Sequence, residues 1–349
     1  MTSPREAAQQ AARPATRVAI AGASSLVGKE LKIVLEESNF PAVEIRLLDE
    51  ELAAGTLTEL AGEPAVIETV SQESFERIRM AFFAGSAGFS IAHGMQARNS
   101  GAVVIDLSGG MAADPGTKLW IPVLDGLLAP PATTVSAGEP QSLFQAPSVP
   151  ADVAISISAA FAPLGLERLA LTFLQPASER GPLAIEELES QVVNLLSFQP
   201  VSKTVFDAQI GFNMLASYGP ESAEDLDEAR ARIVGEVKRY LSGRVPMPAI
   251  SLVQAPVFHS HTFSAFAEFR AAPALDAVVK NLEAAGLKIS PANEEAPSNV
   301  SVVGEGRPVL GQPQRDPLIE NGVWLWGAAD NLRVPAATAV AIAEKLLVS

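Results

Sequence analysis

Arg17-Val-Ala-Ile-Ala21, followed by Gly22-Ala-Ser-Ser25-Leu-Val-Gly28 and then Lys29-Glu-Leu31, is the stretch that decides the architecture. Its first five residues form a short run of β-branched residues and alanine that stops at Gly22. From Val27 to Leu35 apolar residues recur at helical spacing. This reads as strand, glycine turn and helix, the opening of a dinucleotide-binding βαβ unit, in which amides at the helix N-terminus face a pyrophosphate. Gly22, Ser24, Ser25, Leu26, Val27 and Gly28 are therefore candidate cofactor-binding residues. Relative to a GxxGxxG loop the middle glycine is Ser25, whose Cβ narrows the backbone approach while its hydroxyl offers a donor. Two readings stay open, a working cofactor loop and a vestigial tight turn.

Outward from this loop, Val43–Leu48 reads as a second strand ending in Asp49, Glu50 and Glu51. Asp49 lies about 20 residues past Gly28, where a carboxylate accepts from a ribose 2′-hydroxyl and repels a 2′-phosphate. A bound cofactor would then be NAD rather than NADP; the alternative is a solvated acidic loop. Further strands are expected at Ala65–Val70, Met80–Ala84, Ala102–Leu107 and Thr133–Ser136. Continuous apolar runs of this kind suit a parallel sheet covered on both faces. After Met80–Ala84, Gly85 and Ser86 begin a second glycine loop that could lie against the same cofactor.

From about Ala151 the pattern changes. Glu167–Leu174 and Val257–Arg270 alternate as in an antiparallel sheet with one open face, and a charged helical block spans Glu221–Tyr240. Gly286–Pro308 reads as a long loop and Ala336–Leu347 as a closing helix. The expected organisation is a tail at 1–16, a Rossmann-type α/β dinucleotide-binding domain at 17–140, an α+β domain at 141–330, and a C-terminal helix at 331–349 returning to the first domain.

A length of 349 residues fits two such domains. A net charge of −15 argues against nucleic acid and anionic membrane surfaces as partners. No apolar run reaches the length that spans a bilayer and the first residues lack a signal-peptide core, so a cytoplasmic location is expected. The cysteine count of zero removes disulfides, thiolate metal sites and thiol nucleophiles together.

In order and spacing, VAIAGASSLVGKEL (18–31), AFFAGSAGFS (81–90), GAVVIDLSG (101–109), QIGFNML (209–215), PVFHSHTFSAF (256–266) and WLWGAADNLRVPAATAVAIAE (324–344) resemble the aspartate-semialdehyde dehydrogenases. LQPASERGPLAIEELESQVVNLL (174–196) resembles their Usg-type paralogues more closely. The resemblance implies a homodimer formed through the second domain and a link to amino-acid biosynthesis. It also implies a reaction in which an aldehyde held on cysteine passes hydride to NADP and its acyl group to phosphate.

The same resemblance puts Pro140 at the nucleophile position and Leu174 at that of an active-site glutamine. It puts Gln254 and Ala112 where the substrate and phosphate arginines stand, leaves His261 as the residual base, and brings Asn331 near the nicotinamide. A proline supplies neither a nucleophile nor an N–H, so the cysteine mechanism is not expected here. The alternative is an NAD-dependent oxidoreductase acting on an aldehyde or oxo group without a covalent step. For His261 a purely structural role also stands, and for Asp330 or Asn331 a helix cap. His259 and His261, two apart on the expected strand, would share a face, but no third metal ligand is visible. Trp324 and Trp326 read as core or interface anchors.

Overall fold

A computed structural model describes residues 16–133 and 141–348, so Pro140 and most of the expected Thr133–Ser136 strand lie outside the described residues. The chain divides into two compact units. One holds residues up to Pro122, Ala132–Ala146 and everything from Ala336 onward; the other holds Val123–Pro131 and Pro147–Pro335.

In the first unit the strands are β1 (Thr16–Ala21), β2 (Ala42–Asp49), β5 (Glu68–Thr69), β6 (Met80–Phe83), β7 (Val103–Asp106), β8 (Lys118–Leu119) and β9 (Leu143–Gln145). They form one sheet in the order β5-β2-β1-β6-β7-β9-β8. Every pairing in it is parallel. Helices α1 (Leu26–Glu37) and α2 (Ala87–Asn99) follow β1 and β6. The central strands are mainly apolar because both faces are covered, and β6 is buried at all four residues; the edge strand β5, Glu68–Thr69, is exposed. One face packs Ile20 and Phe82 with Leu31 of α1 and with Ala336, Ala339 and Ala343. The other packs Ala19, Ala81 and Phe83 with Phe89 and Ala97 of α2. The expected Ala65–Val70 strand is instead the end of a hairpin, β3 (Leu57–Leu60) with β4 (Glu63–Val66), followed by β5.

In the second unit β10 (Leu166–Gln175), β11 (Ala249–Gln254), β12 (His261–Phe269), β13 (Lys288–Ile289), β14 (Val309–Leu310) and β16 (Gly322–Ala329) form a sheet in the order β11-β10-β12-β16-β14-β13, with β15 (Gln314–Arg315) beside β16. This sheet is mixed rather than antiparallel, because β10–β11 and β13–β14 pair parallel. A parallel neighbour needs a crossover, and α4 (Pro182–Leu196) and α5 (Leu226–Leu241) lie in the chain between β10 and β11. Helix α3 (Val149–Phe161), buried at every residue, packs against β10, α5 and α6 (Leu275–Ala284). The opposite face is open: Ala170 and Thr172 of β10 and Trp324 and Trp326 of β16 are exposed on it. The closing helix, α7, runs Arg333–Val348.

Candidate functional site

The sheet order of the first unit reverses between β1 and β6: β1 is followed outward by β2, and β6 by β7 on the other side. Ligands of open α/β sheets bind at such a point, beyond the carboxyl ends of the strands. Both glycine loops emerge there and interlock. Gly22 has φ +88°, and a Cβ on it would lie 2.1 Å from the Gly85 nitrogen. A Cβ on Gly28 would lie 2.2 Å from the Gly22 carbonyl oxygen.

Ser25 caps α1, its Oγ accepting from the Gly28 N–H at 2.8 Å and donating to the Ala84 carbonyl at 2.7 Å. Its proton therefore ties the two loops together, and the donor expected for a phosphate is already committed. Ser86 likewise caps α2 by accepting from Phe89 N–H at 3.1 Å. Among the described residues, the Leu26 and Val27 amides are the first-turn donors of α1 that have no acceptor. Asp49 is 8% exposed, with its two oxygens accepting from the Ser24 and Glu50 amides at 2.7 and 2.8 Å. A second lone pair remains on each oxygen.

The second unit gathers another polar group. Gln175 ends β10 in register with Gln254 at the end of β11, and both are buried. Leu215 of the QIGFNML segment bridges to Gln254 backbone to backbone, which brings Tyr218 alongside. The Tyr218 hydroxyl donates to Gln254 Oε1 at 2.7 Å and accepts from Gln175 Nε2 at 3.1 Å. Burial pushes that phenol up to about 12 against the opposing charge of Arg180, so it is neutral near pH 7.

Beyond Gln175, the short helical turn Ala177–Arg180 presents Ser178, Glu179 and Arg180. Glu179 Oε1 lies 3.1 Å from Nε2 of the fully buried His261. Burial raises the Glu179 carboxyl, but the His261 hydrogen bond and charge, aided by Asn331 and Arg232, outweigh it and hold the group below its ordinary value. Asn331 Oδ1 accepts from the Ser260 N–H at 2.9 Å, and its Nδ2 donates to Ser178 Oγ at 3.0 Å. It thus joins the turn at 177–180 to the start of β12.

His259 is not on that strand. Ser260 has φ +68°, a left-handed turn that breaks the alternation, so β12 starts at His261 and the two histidines do not share a strand face. The helix cap belongs to Asp330, whose Oδ1 accepts from Leu332 and Arg333 amides at 2.9 and 3.0 Å. Trp324 and Trp326 are not core residues; they stand 42% and 41% exposed on the open sheet face.

Residues 17–165 match the family model described as the NAD binding domain of semialdehyde dehydrogenase, and residues 158–334 match that described as its dimerisation domain. The chain belongs to the semialdehyde dehydrogenase family. A USG-1 protein homolog of Pseudomonas aeruginosa is 30% identical over 335 residues, covering 95% of this chain and 97% of that protein. The aspartate-semialdehyde dehydrogenase of Aquifex aeolicus is 27% identical over 338 residues, covering 95% of this chain and 98% of that protein. A Pseudomonas aeruginosa structure described as "a probable aspartate-semialdehyde dehydrogenase" is 28% identical with a TM-score of 0.83, covering 96% of this chain and 99% of that one. The first unit is thus an NAD(P)-binding domain of this family, and the fold expected from the sequence is the one observed.

Within this semialdehyde dehydrogenase frame, Leu174 pairs with Thr262 and Val253, and strand alternation turns it away from the His261 face. The glutamine on that face is its neighbour Gln175, which reading by position in the sequence missed by one residue. Strand parity was the signal that could have found it, since Phe173 and Gln175 share a face and the Phe173 ring lies 6.3 Å from that of His261. Ala112 lies in the short helix Gly110–Ala113, where its methyl group offers no donor to a phosphate. The loop there is organised by buried Asp106, which accepts from the Met111 amide at 2.8 Å. Glu179, Arg180 and Tyr218 carried no sequence signal of their own. Among the described residues no group of three or more His, Asp or Glu side chains is placed to hold a metal, and no helix is long and apolar enough to cross a membrane.

Proposed function

We propose that this chain is a homodimeric, cytoplasmic family member that binds NAD in preference to NADP and does not carry out cysteine-dependent oxidation of aspartate semialdehyde. The observation that carries this reading is the state of His261. Its Nε2 is engaged by Glu179 at 3.1 Å in a chain of 349 residues without a cysteine. A thioester route needs a thiolate to attack the aldehyde and a base free to take its proton. The glutamine at the substrate-arginine position, Gln254, donates both protons of its amide to the Gln175 and Ala255 carbonyls at 3.0 Å. An assay with aspartate semialdehyde, phosphate and NADP should give only background, and turnover above it overturns the reading.

Support for nucleotide binding comes from the two helix N-termini brought together at the sheet's reversal point and from the orphan amides of Leu26 and Val27. NAD is preferred because Asp49, Glu50 and Glu51 crowd the end of β2 with negative charge, which a 2′-phosphate would meet. Parallel thermal-shift titrations decide this: NAD should raise the melting temperature and NADP should not. Dimerisation is assigned to the open sheet face, where Ser264 and Phe266 of β12 stand opposite Trp326 and Trp324.

A second reading is favoured by the Glu179–His261 pair itself, since a carboxylate that orients a histidine also suits a general base. In that reading the chain transfers hydride between NAD and an aldehyde or oxo compound with no covalent step. Consumption of NADH with a panel of aldehydes, lost in His261→Asn, would establish it.

A further inference from the structure

Among the described residues, four of the five buried side-chain nitrogen or oxygen atoms that lack a hydrogen-bond partner belong to two short segments of the second unit: Arg180 Nη1, His259 Nδ1, Ser260 Oγ and His261 Nδ1. Buried polar groups without partners are uncommon, and a cluster of them calls for a cause. Arg180 is the most costly of these, because it is always charged and carries five donors.

Its side chain is 8% exposed. The guanidinium carbon lies 5.2 Å from the Tyr218 ring centroid and 5.8 Å from that of Phe206, so aromatic rings hold the fork in place. Each nearby acceptor is short of pairing with it fully. Glu179 is committed to His261. Tyr218 is neutral, directs its proton to Gln254 and gives Arg180 only a lone pair of its hydroxyl oxygen, already shared with Gln175. Glu224 lies 3.5 Å from Arg180 Nε, is shared with Arg232 at the same distance, and is itself 45% exposed. Charge-assisted N–H···O⁻ contacts close to about 2.7–2.9 Å when made fully. The fork is thus rigid, sheltered and only weakly paired, and Glu224 occupies the side open to solvent.

We propose that Arg180 anchors a binding subsite for a small aliphatic carboxylate, which closes a two-point contact on the guanidinium that includes the unpartnered Nη1 and leaves Glu224 to Arg232. A planar two-oxygen anion satisfies the geometry of the fork in a way that a single shared carboxylate at 3.5 Å does not. The Gln175–Tyr218–Gln254 network beside it is uncharged and internally satisfied, so the positive charge of this end of the sheet rests on the turn after β10 and not on β11. This subsite is independent of the nucleotide reading, which rests on the other unit.

The test uses the full chain with sodium propionate as probe, against sodium chloride and sodium phosphate at matched ionic strength, read as a thermal shift and as a calorimetric affinity. Propionate should raise the melting temperature where chloride and phosphate do not. Arg180→Gln should abolish the response. Arg180→Lys, which keeps the charge but loses the fork, should weaken binding by about tenfold or more. Glu224→Gln, which removes the internal competitor, should tighten it. Equal responses to all three salts, a response to phosphate alone, or wild-type propionate affinity in Arg180→Gln would each overturn the proposal. If circular dichroism shows that Arg180→Gln does not fold, Arg180→Lys decides, and wild-type affinity there overturns it. A failure leaves nucleotide binding untouched, since that is read separately with NAD.

Discussion

Replacing Gly22 by alanine separates conformational strain from steric conflict, because a second glycine provides the control. At Gly22 φ is +88°, and the new methyl would sit 2.1 Å from the Gly85 nitrogen and 2.3 Å from its Cα. Gly55 has a similar φ of +79°, but an added Cβ there meets nothing within 4 Å. The left-handed conformation costs an L-residue roughly 1–2 kcal/mol at either position. Only Gly22→Ala must also force two backbone loops apart, an overpacking cost of roughly 1–3 kcal/mol more. Gly55→Ala should therefore lose about 1–2 kcal/mol and Gly22→Ala about 2–5 kcal/mol, with roughly 2–4 °C of melting temperature per kcal/mol in a domain of this size. Urea unfolding followed by Trp120, a 6% exposed residue of the first unit's core, reads that unit once Trp324 and Trp326 are changed to phenylalanine. Should Gly22→Ala prove no less stable than Gly55→Ala, the interlocking of the two loops is wrong. Should it be less stable yet bind NAD as well as wild type, the link from interlocking to nucleotide binding fails.

Three other expectations can be checked with purified protein. Ser25→Ala removes the cap of α1 and the tie to Ala84 at once, and the same unfolding experiment should show a loss of about 1–2 kcal/mol; wild-type stability would mean that neither hydrogen bond matters. Because Glu179 is held below its ordinary value in the folded chain, its contribution is present above the unfolded carboxylate value and is lost as pH falls through the folded one. Glu179→Gln should therefore flatten part of the decline in stability as pH falls below the ordinary glutamate value of 4.5, and an unaltered acid limb contradicts the Glu179–His261 pairing. Phe266→Glu or Trp326→Glu places charge on the open sheet face and should convert a dimer to a monomer in sedimentation equilibrium, while a dimer that persists in both variants moves the interface elsewhere.

What the sequence made legible was local. The run from Arg17 to Leu35 announces strand, turn and helix because the apolar period changes at one glycine, and no distant contact is needed to read it. The three-residue strand Leu143–Gln145 was not legible, since it is buried throughout and too short to show a period. Val257–Arg270 misled for the opposite reason: its alternation runs unbroken through Ser260, whose left-handed backbone no residue type announces. That one torsion, stabilised by Asn331 accepting from the Ser260 amide, moves His259 off the strand and removes the shared face a metal pair would need. Arg180 and Tyr218 were illegible because 37 residues of loop and helix separate them before the Leu215–Gln254 bridge brings the second beside the first.

The glycine loop shows why a motif of this kind underdetermines function even when read in the right place. Gly22 must be glycine to let Gly85 approach, Gly28 must be glycine to clear the Gly22 carbonyl, and Ser25 is needed as cap and tie. All three requirements arise from packing β1, α1 and β6 in one sheet layer and persist with or without a ligand. Asp49 likewise already anchors the Ser24 and Glu50 amides. The motif would therefore be retained by a chain that bound nothing, and what distinguishes the cases is the group that packing leaves over, the Leu26 and Val27 amides and the outer lone pairs of Asp49. Asp49→Asn probes the latter: its single amide oxygen keeps only one of the Ser24 and Glu50 amide contacts, at a cost of about 1–3 kcal/mol, and it removes the charge that rejects a 2′-phosphate. The preference of NAD over NADP should narrow in that variant if the leftover groups contact the ribose, and stay unchanged if the loop serves the fold alone.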